Sequence, residues 1–263
     1  MQLRAVDRIS FLYAEKGYLE ADGHALVLAQ GEQKIHFPVG AANVILVMPG
    51  TVVTHAAAKI CGEEKCLLLW VGENGVRLYS AGYPGGAVAG HLLRQAAIRL
   101  NDQDRLAAAK RGFYAMFGEK ARARTIEELR GEEGARVKAL YAQIASDHGV
   151  IWTGRNTSAG NDPVNQAISA ANAALYGLAE AVILALGYSP AIGFSHSGDT
   201  RSFVFDVADC LKFKTVVPLG MQIAAESSRD IQNRTRRACR DLFVREGLTR
   251  QIVAAIDLII PPT

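Results

Sequence analysis

At 263 residues the chain is long enough for one large domain or two ordinary ones, with a substantial buried core. Its 49% hydrophobic and 21% charged residues are the composition of a soluble globular protein, and a formal charge of only +3 announces no chain-wide attraction for a polyanion. The distribution says more: residues 1–85 hold 7 basic against 8 acidic side chains and the remainder 22 against 18, so the basic excess lies in the second part. Cys61, Cys66, Cys210 and Cys239 make no Cys-x-x-Cys pair, and Cys61-x4-Cys66 lacks the second pair a zinc site needs. They are expected to be reduced, mostly buried thiols of a cytoplasmic protein. Met1–Ser10 is charged and has no apolar segment of signal-peptide type.

The first part reads as short strands. Ile9–Tyr13, Tyr18–Ala21, Ala25–Ala29 and Lys34–Phe37 are separated by Lys16-Gly17, Asp22-Gly23 and Gln30-Gly31. Val44–Val47, Leu67–Val71 and Val76–Ser80 continue the series, with Asn74-Gly75 as a hairpin signal and a short helix over His55–Cys61. Strands at this spacing predict a small sandwich or curled sheet. Four glycines and a proline in Ala81–Gly90 mark a linker, placing an N-terminal β domain at 1–85 and a helical domain at 90–263. Helical periodicity covers Leu92–Leu100 and Asp104–Phe117. Thr125-Ile-Glu-Glu128 has the form of a capping box opening a helix to about His148. Asp162 and Pro163 start another helix, whose stretch Ala167–Leu186 contains Asn172 and Glu180 and reads as a buried helix, not a membrane span. Further helices follow Ser202 and Ser228. The predicted fold class is α+β: a small β-sandwich-like domain, then a larger all-α catalytic domain.

Four residues from three stretches could form a metal site. Glu133 sits between Gly131 and Gly134, whose cost to a helix suggests a close approach to the backbone, by another helix or by a phosphate. His196 lies in the small-residue loop Gly193-Phe-Ser-His-Ser-Gly198. Asp206 and Asp209 are three apart in an apolar run, so they share a helix face and need a cation or a basic neighbour. Carboxylates with one imidazole suit Mg²⁺ or Mn²⁺ better than thiolate-loving metals. Basic residues bracket these candidates: Arg130, Arg136 and Lys138 around Glu133, Lys212 and Lys214 after the aspartates, and Arg236 and Arg240 on the last basic helix. A site holding both a metal and a phosphate backbone requires such residues. Gly193-x-Ser195-x-Ser197 approaches a hydrolase nucleophile elbow, but no parallel sheet feeds it. The competing non-enzymatic reading is a DNA-binding scaffold whose acidic cluster is structural.

Arg130-Gly-x-Glu133-Gly-x-Arg136, Asn165-Gln-x-Ile-Ser-Ala-Ala-Asn172, Pro190-Ala-Ile-Gly-Phe-x-His196-x-Gly198 and Ser202-Phe-Val-x-Asp206-x-Ala-Asp209 resemble the CRISPR-associated protein one family. Gly50-Thr-x-Val-x-His55-Ala-Ala and Trp70-Val-Gly-Glu-x-Gly-Val-Arg77 resemble its I-E subtype. The resemblance implies an integrase and endonuclease that inserts short duplex prespacers into a CRISPR repeat array, as a homodimer with CRISPR-associated protein two. It implies Glu133, His196 and Asp209 as metal ligands and Asp206 as a nearby essential acid. Arg77, Arg130, Lys138, Lys212, Lys214, Arg236 and Arg240 are the implied DNA contacts. Lys16 and Val52 depart from an aromatic and a basic residue of some relatives.

Overall fold

Residues 12–23, 25–72, 78–82, 89–156 and 162–262 are described by the computed structural model. Arg77, the Asn74-Gly75 hairpin, most of the glycine-rich linker and the residues before Leu12 lie outside them. By contacts, the chain divides into Met1–Leu92 with Ala181–Tyr188, and Leu93–Glu180 with Ser189–Thr263. The segment Ala181–Tyr188 is one that the composition-based boundary assigns to the helical part.

In the first unit, β1 (Leu12–Ala14), β5 (Val44–Val47), β7 (Leu67–Val71) and β8 (Leu78–Gly82) form one four-stranded sheet in that order. The second sheet runs β4 (Gln33–Phe37), β3 (Ala25–Gln30), β2 (Gly17–Asp22) and β6 (Thr51–Val53). β2, β3 and β4 pair as an antiparallel meander, with a two-residue turn after Gln30. Between β5 and β7 the helix α1 (His55–Glu63) provides the crossover that a parallel pair needs. β5 is buried along its length because its two faces serve two cores. Ile45 and Val47 pack with Leu19, Leu28 and α1 between the sheets, whereas Val44 and Leu46 pack with Leu67, Leu69, Ala181 and Leu184. This second cluster is why Ala181–Tyr188 belongs with the strands.

The second unit is helical: α2 (Gly90–Leu100, whose first turn counts with the first unit), α3 (Asp102–Phe117), α4 (Ile126–Asp147), α5 (Pro163–Ala185), α6 (Ser202–Lys212), α7 (Val216–Glu226), α8 (Ile231–Arg245) and α9 (Leu248–Ile259). Asn101 caps α3 by accepting from the amides of Gln103 and Asp104, starting that helix two residues before the expected position. Thr125 Oγ1 accepts from Glu128 N at 3.2 Å, but Glu128 closes back on Arg124 N, one residue before the partner in a standard capping box. Asp162 Oδ1 accepts from the amides of Val164 and Asn165, as its position before Pro163 predicts. α5 is long and apolar enough to cross a membrane, yet 72% of its most apolar window is buried inside the protein, the pattern of a core helix. All four cysteines are buried.

Candidate metal centre

Helix α6 is buried on nearly every side: Phe203, Val204, Val207, Ala208 and Cys210 are all shielded from water. Two carboxylates on such a helix need compensation, since unpaired charges in an apolar interior are costly. Asp206 is 8% and Asp209 5% exposed, and each is compensated differently. Asp206 Oδ2 accepts from the backbone N–H of Phe194 (2.5 Å) and Ser195 (3.3 Å). Its Oδ1 accepts from the His196 amide at 3.0 Å and meets His196 Nδ1 at 2.8 Å. Asp209 Oδ1 lies 2.7 Å from Lys212 Nζ one turn further on, an ion pair by distance that stands outside hydrogen-bond geometry.

These contacts determine what His196 can do. An ionised carboxylate only accepts, so Nδ1 carries the proton and donates, leaving Nε2 as the nitrogen available to a ligand. A carboxylate behind an imidazole is the usual support for a metal-binding histidine. Burial works against the charged ring, but the hydrogen bond and charge of Asp206, with Asp209 and Glu133, outweigh it and raise the His196 pKa.

Glu133 reaches the same place from the second turn of α4. One ligand atom from each of Glu133, His196 and Asp209 lies within 4.8 Å of the others. Burial, then the charge of Asp209, raises the Glu133 pKa, while His196 and Lys212 oppose the rise. Two oxygen ligands and one nitrogen, with excess negative charge, fit a hard divalent cation. Asp206, spent on the histidine loop, is outside this trio. No other element of the described chain packs on the glycines around Glu133: beyond its own helix, a Cβ at Gly131 or Gly134 would meet nothing within 4 Å.

Residues 112–227 match the family model for CRISPR associated protein Cas1. A CRISPR-associated endonuclease Cas1 from Geobacter sulfurreducens is 44% identical over 260 residues, covering 97% of this chain and 85% of the relative. The chain belongs to the Cas1 family. The Cas1 endonuclease of Escherichia coli K12 is 42% identical over 257 residues, with 95% and 84% covered. The crystal structure of a TtCas1–DNA complex superposes with a TM-score of 0.85 at 32% identity over 100% of both chains.

The basic residues of this Cas1-family chain divide by burial. Arg130, Lys138, Lys214 and Arg240 are exposed, and Lys214 Nζ donates to Ala115 O at 2.9 Å. Arg236 is half-buried. Lys212, expected to touch DNA, is instead buried against Asp209 and the Phe213 ring. Burial opposes its charge, but Asp209, helped by Tyr176 and Tyr141, holds its pKa above the ordinary lysine value. The three-residue spacing from Asp209 carried this pairing in plain sight. Tyr176 was missed: burial first, then Asp209, pushes its pKa up to about 12, and a tyrosine inside an apolar helix gives no sequence signal.

Proposed function

We propose that this chain cuts and joins DNA phosphodiesters at Glu133, His196 and Asp209 with Mg²⁺ or Mn²⁺, inserting short duplexes into a CRISPR array. The observation that carries the reading is the convergence of these three ligand atoms within 4.8 Å. Two relatives named CRISPR-associated endonuclease and a solved relative in complex with DNA support the reaction class and the substrate. When bound, the cation would polarise the scissile phosphate and offset charge developing on its oxygens.

The protein's own groups do the rest. Asp206 keeps the His196 proton on Nδ1 and fixes the ring. Lys212 balances Asp209 from behind. The open backbone at Gly131 and Gly134 leaves room for a phosphodiester beside Glu133. Arg130 and Lys138 on α4, with Lys214, Arg236 and Arg240, neutralise backbone phosphates and align the strands so that a 3′-hydroxyl attacks in line. Arg77 has the same assigned role. With water as the attacking group the same arrangement nicks DNA. The working assembly on this reading is a cytoplasmic homodimer with CRISPR-associated protein two, of the I-E subtype.

The test is a nicking and strand-transfer assay on branched DNA, with Mg²⁺ or Mn²⁺ and reversal by EDTA. Wild-type protein should act only with the ion, and His196→Ala should lose the reaction while keeping its fold. Binding without cutting by the wild-type protein would make it a scaffold.

A further inference from the structure

Helix α2 hides a glutamine and exposes its leucines. Gln95 is 0% exposed, while Leu93 and Leu100 on the same helix stand 68% and 85% exposed. Glutamine is seldom fully buried, so something specific must hold it there. Its amide spans the start of the histidine loop: Oε1 accepts from Ser189 N at 2.8 Å, and Nε2 donates to Ser189 O at 3.0 Å and Ile192 O at 2.8 Å. Three of the four hydrogen bonds the group can make thus end on one short segment.

The next stretch is gripped from α3. Arg105 Nε donates to Phe194 O at 2.9 Å, and the N–H of the same residue goes to Asp206. Phe194 is therefore held on both sides, two residues before His196. Between the two anchors the chain folds back so tightly that a Cβ on Gly193 would lie 2.6 Å from His196 O and 2.8 Å from Ser202 C. Phe203 N donates to Pro190 O at 2.8 Å, tying the fold-back to α6. The order along the chain is informative: Gln95 sets 189 and 192, Arg105 sets 194, and Asp206 sets 194 to 196.

We propose that Gln95 and Arg105 are positioning residues for His196, fixing the loop so that Nε2 is presented to the ion that Glu133 and Asp209 share. The inference rests on the metal-site reading above. Neither residue touches the cluster; each acts by fixing the backbone that presents the imidazole. An apolar side chain of similar length at position 95 leaves two loop carbonyls and one amide without partners, and the loop then samples geometries in which the ring is misaimed.

The experiment uses the full chain and the variants Gln95→Met, Arg105→Met and the milder Arg105→Lys, which keeps a donor. Amide hydrogen exchange of the metal-free protein is followed together with Mn²⁺ affinity, DNA affinity and nicking turnover. Faster exchange confined to 189–198 is expected for both Met variants, with Mn²⁺ affinity and turnover falling by roughly 10–100-fold. DNA affinity should stay at the wild-type level, and Arg105→Lys should recover most of the loss. Wild-type exchange and Mn²⁺ affinity in both Met variants would overturn the inference. So would faster exchange spread across α3, α5 and α6 in all three variants, because that pattern belongs to general core residues. Wild-type protein that neither takes up Mn²⁺ nor nicks would sink the metal-site reading, whereas active wild type with unaffected variants would sink this inference alone.

Discussion

Asp206→Asn separates two roles that an acid beside a metal site can have. The substitution keeps the shape and removes the charge. Both carboxylate oxygens are in use: Oδ2 by the amides of Phe194 and Ser195, Oδ1 by the amide and ring of His196. Turned one way, the new NH₂ faces the Phe194 and Ser195 amides; turned the other, it faces the His196 amide and drives the ring proton from Nδ1 to Nε2. One or two donors are thus left without acceptors at about 1–3 kcal/mol each, or roughly 1–6 kcal/mol in all. A domain with a total stability of about 5–15 kcal/mol will register that clearly. At about 2–4 °C per kcal/mol, the melting temperature should fall by roughly 2–24 °C. The assay is thermal unfolding of the EDTA-treated protein at neutral pH, where no cation contributes. An acid whose main role was to face the ion would behave oppositely, because neutralising it would relieve repulsion from Glu133 and Asp209. A metal-free Asn variant melting at or above the wild type would refute the assignment of Asp206 to the loop.

Other substitutions probe the neighbouring contacts. Glu133→Gln removes a carboxylate that burial and Asp209 disfavour in its charged form. It should raise the melting temperature of the metal-free protein at neutral pH while metal-dependent nicking falls by at least about 100-fold; a lower melting point would contradict the reasoning. Lys212→Met strips Asp209 of its partner, and breaking such a buried pair should destabilise the fold by about 3–5 kcal/mol in denaturant titration. Gly193→Ala forces a Cβ against His196 O and should lose about 1–3 kcal/mol together with much of the nicking rate. Arg240→Ala, on the exposed side of α8, should weaken binding to all DNA sequences alike. It should also flatten the plot of log affinity against log salt by about one unit.

Much of the site was legible because its chemistry concentrates in short stretches. Asp206 and Asp209 in an apolar run announce buried charge, and the small residues around His196 announce a tight loop. The different work of the two aspartates was not legible. That depends on which carboxylate meets the loop amides, a fact set by the return of 189–196 onto α6. Lys212 looked like a surface cation because a charge pattern does not reveal burial on a helix enclosed on all sides. Gln95 and Arg105 were invisible for a related reason: their partners are backbone groups about ninety residues away, which leave no mark on local sequence. In the fold, the alternation of apolar residues located most strands, but the parallel pairing of β1 with β5 and of β2 with β6 joins stretches about thirty residues apart, which local pattern does not record. The strand Thr51–Val53 is too short to show a period. Helix α7 escaped because Pro218 looks like a breaker, although it sits in the first turn, where proline is tolerated.

The decisive measurement is anomalous diffraction from crystals of this protein soaked in Mn²⁺. One peak within about 2.0–2.3 Å of Glu133, His196 Nε2 and Asp209 together, with Asp206 still bonded to the loop, is the predicted result. A peak ligated by Asp206 in place of His196, or no peak among the three side chains at saturating Mn²⁺, would contradict it.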